Sequence, residues 1–157
     1  MSTEKTNTKT KISNTDIFRR RNRFVVEFPK TSGIESYLVQ TVKLPKFTAS
    51  NGWSKVEITF LDIVPIKEVN SISTIFVLHT AASKNNLFTE MSNSIRSNVF
   101  KIFIKSLDAI GEEIDRWEIK VKDFEIDFGT YDYASNTDSS IIKMILEPKD
   151  CIFSINK

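Results

Sequence analysis

From Arg23 onward the apolar residues of this chain fall into short alternating or continuous runs separated by turn-formers, the pattern of antiparallel strands, and that pattern decides the fold class. Val56, Ile58 and Phe60 alternate with Glu57 and Thr59; Phe100, Ile102 and Ile104 alternate with Lys101, Phe103 and Lys105; Phe124, Ile126 and Phe128 alternate with Glu125 and Asp127. A period of two is what a strand shows when one face is buried and the other is not. The residue stock agrees: 20 Ile, 12 Phe and 10 Val stand against 7 Leu and 5 Ala, and branched and aromatic side chains pack best on pleated surfaces.

Turn-formers cut the pattern into segments. RFVVEF stops at Pro29, KTSG turns into ESYLVQTVKL, which stops at Pro45, and TASNG leads to WSKVEITFLDIV; these three predict a meander. VFKIFIKSLD follows later, then the turn DAIG. EEIDRWEIKVKDFEIDFG reads as one strand around Trp117 and another through Phe124, Ile126 and Phe128, and SSIIKMILEP and CIFSI read as a closing pair joined at residues 148–150.

A helical period is clearest in VNSISTIFVLHTAASK. Asn70 is placed to cap it, and Ile72, Ile75, Phe76 and His79 share one face, which predicts a helix over 71–82. NLFTEMSNSIRSN spaces Leu87, Met91 and Ile95 helically, but its serines and asparagines favour turns, so it reads as a long loop with at most one helical turn. The expected fold is mainly β: an antiparallel sandwich or partial barrel of about eight strands with one flanking α-helix. At 157 residues the chain suffices for one core, which gives a polar, basic arm over 1–17 and a single β domain over 18–157.

Charge divides the chain in the same way. Residues 1–23 hold seven basic and two acidic groups, whereas 24–157 hold 15 basic and 18 acidic ones, and residues 108–138 alone carry ten acids against three bases. The arm has too little to bury to offset the entropy of ordering it.

Enzymatic chemistry finds little to work with. His79 and Cys151 are the sole histidine and cysteine, which rules out a disulfide within the chain and a Cys/His zinc cluster. No nucleophile motif surrounds His79, and the four glycines stand too far apart for a phosphate loop. His79 and Cys151 read as structural residues, and Glu112, Glu113 and Asp115, after Gly111, as a solvated hairpin turn rather than a metal site. The expectation is no enzyme, no metal and no cofactor. No apolar run approaches 18 residues, and MSTEKTNTKTK lacks the apolar core of a signal peptide, so neither a membrane span nor secretion is expected.

Two features invite a functional reading. Arg19, Arg20, Arg21 and Arg23 crowd ahead of the first strand; with no aromatic-interleaved basic face or helix-turn-helix beside them, a protein contact fits better than direct nucleic-acid recognition. Glu125 and Asp127 lie on the polar face of a strand, which is either an ordinary solvent face or an electronegative wall that something passes without sticking.

NRFVVEF, then YLVQTVKLP, a loop to the Trp53 strand, a helix, and IKSLDAIGEEIDRWEIKVKDFEIDFGTYDY follow one another in an order that resembles the tail tube proteins of contractile-tailed bacteriophages and, beyond them, type VI secretion tube proteins. The likeness covers roughly residues 18–155 and is most specific from the L-D-x-x-G hairpin to YDYASNTD. Lys122-Asp123 departs from it, since a small residue is common there. The resemblance implies a β-sandwich with a flanking helix that assembles into six-membered rings, stacked into a hollow tube through which DNA passes without specific binding. It makes Glu125, Asp127 and Glu118 candidates for the lumen wall, with Glu57 and Glu147 comparable. Arg19, Arg20, Arg21, Arg23, Phe47 and Trp53 become candidates for contacts between subunits or rings. Implied partners are further copies of the chain, a tail sheath and a baseplate, and the implied location is a virion assembled in host cytoplasm. The alternatives are a baseplate, initiator or terminator protein of the same fold and, from another class, a monomeric β-sandwich binding module.

Overall fold

The computed structural model describes residues 20–29, 32, 34, 36–61, 86–130, 133 and 141–156. The arm over 1–17, Arg19 and the helix expected over 71–82 with His79 lie outside the described residues. Eight strands are described: β1 (Phe24–Glu27), β2 (Val39–Lys43), β3 (Phe47–Thr48), β4 (Gly52–Trp53), β5 (Val56–Leu61), β6 (Lys101–Leu107), β7 (Glu113–Asp127) and β8 (Ile141–Ile155), with one helix, α1 (Asn86–Arg96). Six of them form one nearly closed antiparallel sheet in the order β1-β6-β7-β8-β5-β2, and β3 and β4 form a two-stranded hairpin. The mainly β partial barrel expected from the alternation is what forms.

Strand pairing departs from the expected meander. β1 joins β6, with Val26 opposite Ile104, and so lies at the opposite edge of the sheet from β2. Alternation marks a strand but does not choose its neighbour. Here the choice is made by the Glu27–Lys105 ion pair at 2.6 Å and by Phe24 and Val26 facing the core. After β1, Ser32 donates its backbone N–H and its hydroxyl to the Pro29 carbonyl (2.8 and 2.6 Å), and a 3-10 turn over Ser36–Leu38 carries the chain into β2. Trp53 likewise belongs to β4 rather than to the strand of Val56.

β7 and β8 are each one continuous strand of 15 residues, not the two short strands expected in each place. The expected breaks fall where both strands change phase. Asp115, Ile119 and Val121 are buried, and the next residues of β7 on the core are Phe124 and Ile126; in β8, Ile142, Met144, Leu146 and Pro148 are buried, and then Cys151. Lys120 opposes Asp150, Val121 opposes Pro148 and Asp123 opposes Glu147, so Lys149 and Lys122 are each one residue too many. Each strand absorbs its extra residue in a β-bulge, and because the two bulges lie side by side the register is the same above and below them. Pro148, which could not donate to an unbroken ladder, is accommodated at this irregularity.

Helix α1 replaces the expected loop. Phe88 packs on Phe124 and Phe128 (ring centroids 6.4 Å apart in each case), Met91 is buried and Ile95 touches the core. Burial of that stripe outweighs the poor propensity of Ser and Asn. The helix ends as Asn98 takes φ 59°, with Val99 N–H bonded to Ser94 O (3.0 Å) and Asn98 N–H to Ile95 O (2.9 Å), a Schellman closure.

Candidate assembly surfaces

The double bulge fixes what the outer face of the sheet presents. Glu118 precedes it and Glu125 and Asp127 follow it, at positions of opposite parity, yet all three emerge on the face away from the core. Lysines are interleaved with them: Glu118 bonds Lys101 at 2.9 Å, Glu57 bonds Lys43 at 3.2 Å, Glu147 bonds Lys122 at 2.7 Å, and Asp127 stands opposite Lys143. Each carboxyl in the Lys101 and Lys122 pairs is held below its ordinary value, first by the lysine hydrogen bond. Glu125, opposite Ile145, and Asp127 are the more exposed of the three candidates.

Towards the hairpin end of the same face, Lys105 bridges Glu27 (2.6 Å) and Glu113 (3.3 Å), Arg116 also binds Glu113, and its guanidinium lies 5.9 Å from the Phe103 ring centre. The region expected to be a solvated turn is therefore only partly so: Glu112 is exposed, but Glu113 lies within an ion-pair network and Asp115 is buried. Burial pushes the Glu113 carboxyl up, but hydrogen bonds from Arg116 and Lys105 outweigh it, leaving the group below 4.5. Lys105 is raised, chiefly by its bond to Glu27 and against burial. A carboxyl with a depressed folded-state pKa contributes stability that is complete above its unfolded value and is lost as pH falls through the folded one; the raised lysine contributes below 10.5 and loses its contribution only at high pH. Glu113→Gln should therefore flatten the loss of stability between about pH 5 and pH 3, read as urea midpoints across that range. An unchanged slope would remove this network from the acid limb.

On the inner face, the region between β1 and the end of β2 stays open. A groove of about 700 Å³ runs there, with Phe24, Val42, Ile104 and Trp117 as its apolar wall, Leu44 at its rim, and Arg20, Arg21 and Arg23 beside it. No described carboxylate forms an ion pair with these arginines. Three of the four clustered arginines are thus brought to one place, and the fourth lies outside the described residues. The groove itself joins residues from four strands and their flanks, which no local sequence pattern announces.

Trp53 and Phe47 have different fates. Trp53 packs edge-on against Trp117 (6.0 Å), which in turn meets Phe153 (5.0 Å), so it covers the chain's own core. Phe47 leans on Trp53 at 5.0 Å but stays 60% exposed. Beyond Leu146, β8 pairs with β7 alone among the described strands, leaving an edge that carries the exposed Ile152 and Ile155.

Cys151 is buried, and desolvation, with Asp150 adjacent, pushes its thiol up to about 11. At pH 8 only about one thiol in a thousand is then ionised, so a disulfide reagent should leave the native protein unlabelled and react once urea unfolds it; prompt native labelling would contradict this placement. Among the described residues no group of three or more His, Cys, Asp or Glu is placed to hold a metal ion, and no helix is long and apolar enough to cross a membrane.

No family model and no curated sequence matches the chain. Among solved structures, the tube-terminating cap of the anti-feeding prophage matches with a TM-score of 0.55 at 11% identity, over 96% of this chain and 99% of the cap. The sheath/tube terminator of an extracellular contractile injection system, PVC, in its extended state, matches with a TM-score of 0.50 at 13% identity, over 89% of this chain and 99% of the terminator. Along nearly its whole length, this chain has the fold of tube-terminating proteins of contractile injection systems.

Proposed function

We infer that this protein is a non-enzymatic structural component of a contractile injection tail, forming a six-membered ring at the end of the tube. The observation that carries the reading is the shared fold with two terminators, each matched over 99% of its own length. The surfaces fit it. An antiparallel sheet whose β8 beyond Leu146 pairs on one side alone among the described strands, with an open groove beside β1 and β2, has faces that a rotational ring covers. Sheath and baseplate proteins are the other partners, and the particle is its location.

The second reading is the repeating tube subunit, whose stacked rings conduct DNA during ejection. The order of strand motifs from NRFVVEF to YDYASNTD supports it. In either case Glu125 and Asp127 face the lumen, Glu118 joins them already neutralised by Lys101, and Phe47 contacts the neighbouring ring.

Negative-stain electron microscopy and sedimentation over a concentration series separate the readings. Rings that do not stack identify a tube-end protein, and hollow tubes of uniform width identify the tube subunit. A monomer that persists even with tail initiator complexes added sinks both and leaves a solitary binding module. With the folded domain taken to begin at residue 18, deleting residues 2–17 should leave circular dichroism and melting unchanged while impairing ring formation. Undiminished assembly would take the arm out of the interface.

A further inference from the structure

The turn between β6 and β7 exposes an apolar residue in a place where turns are usually polar. Ile110 is 80% exposed, with Asp108 two residues before it and Glu112 two after. The turn is braced: one Asp108 carboxylate oxygen accepts the backbone N–H groups of Ile110 and Glu112, each at 2.9 Å, Asp108 N–H bonds to Glu112 O at 2.9 Å, and Gly111 supplies the φ of 91° that closes it. A preorganised apolar tip flanked by carboxylates loses little entropy on docking.

The groove beside β1 has the complementary character, with apolar walls and three arginines that no described carboxylate neutralises. Its volume of about 700 Å³ is ample for an isoleucine and two flanking carboxylates. The chain's own tip does not fill it, since Ile110 stays exposed. The chain's own arm is a poor occupant, because residues 1–19 carry four basic groups against two acidic ones and would meet like charge.

We propose that the groove receives the β6–β7 hairpin tip of a second copy of this chain, Ile110 against Val42, Leu44 and Trp117, and Glu112 against Arg20, Arg21 and Arg23. Tip and groove are different surfaces of one subunit. When each copy gives its tip to one neighbour and receives the tip of another, the contact is heterologous, and a rotation that returns to the first copy closes it into a ring. The proposal rests on the reading of this protein as a ring former and identifies the contact that builds the ring.

The test uses the full chain with Cys151→Ser throughout. One batch carries Ile110→Cys and a size tag, the other carries Leu44→Cys without a tag; both positions are exposed, and folding of each batch is checked by circular dichroism. After mixing and mild oxidation, the mixed-size disulfide dimer should form at least about tenfold faster than with Val99→Cys, also exposed, in place of Ile110→Cys. In the parent chain, Glu112→Arg and Arg21→Glu should each weaken association by about tenfold, and the two together should recover most of it. Rings that form without the preferential crosslink, or without the charge rescue, overturn this contact and leave the ring reading standing. The crosslink without rings keeps the contact and removes the ring. Absence of both overturns both.

Discussion

Phe60→Ala should destabilise the domain by about 3–5 kcal/mol, and at a slope of ~2 kcal/mol per molar urea the midpoint falls by about 2 M. Phe60 is fully buried on β5, and its ring lies 5.8 Å from that of Phe28, which follows β1. These two strands stand at opposite sides of the sheet order, β5 next to the β2 edge and β1 at the other. The ring pair thus spans the interior where the sheet fails to close by hydrogen bonds. Truncation leaves a cavity and also loosens the hold of β1, so the loss should sit at the upper end of that range. Phe47→Ala, by contrast, should change stability by no more than about 0.5 kcal/mol, since its ring is mostly in solvent. If the two variants lose stability equally, the assignment of the core is wrong.

On the reading that this face lines a DNA-conducting ring, Glu125→Lys together with Asp127→Lys should let particles assemble but slow release of DNA by roughly tenfold at low salt. Both side chains are exposed on a face whose remaining acids are largely matched by lysines. That face is close to neutral, so reversing two charges per subunit turns it basic all the way round a ring. Each lysine that meets a phosphate releases counterions and adds a binding step to transit. Because the added attraction is ionic, raising the salt should restore the rate, and dye-monitored ejection can follow both effects. A normal rate at low salt would mean that this face does not line the channel, and a slow rate that salt does not relieve would point to altered ring geometry.

What could be read from the chain beforehand divides along the range of the forces involved. Alternation at Val56, Ile58 and Phe60 or at Phe124, Ile126 and Phe128 is a local consequence of burying one face, and those strands were legible. The partner of β1 was not, since Glu27 meets Lys105 across 78 positions. Nor was α1, where Ser and Asn argue locally for a turn and Phe88 and Met91 are decided by a sheet that the segment itself does not contain. The breaks expected between the Trp117 and Phe124 segments and at residues 148–150 were real signals with a different cause: the apolar phase does slip there, and bulges rather than turns absorb the slip. Among the site candidates, the clustering of Arg20, Arg21 and Arg23 was visible but their groove was not. Ile110, an isoleucine between Asp108 and Gly111 in a turn, was a signal available in the sequence and easily passed over.

The position of β8 bears on how such a protein is made. Among the described strands it comes last in sequence and lies in the interior of the sheet, between β7 and β5, so the earlier strands β1 and β2 become the rims of a surface whose joint emerges after them. On a ribosome the early segments wait, and the slow non-local pairings follow the emergence of β8. A nascent chain stopped before Ile141 lacks the one described strand that pairs with both the β6-β7 and the β5-β2 portions, and the sheet then does not hold its two rims in register with each other. A product that ends before β8 is thereby unfit for any contact that needs both rims in place, by its own topology and with no separate inspection step.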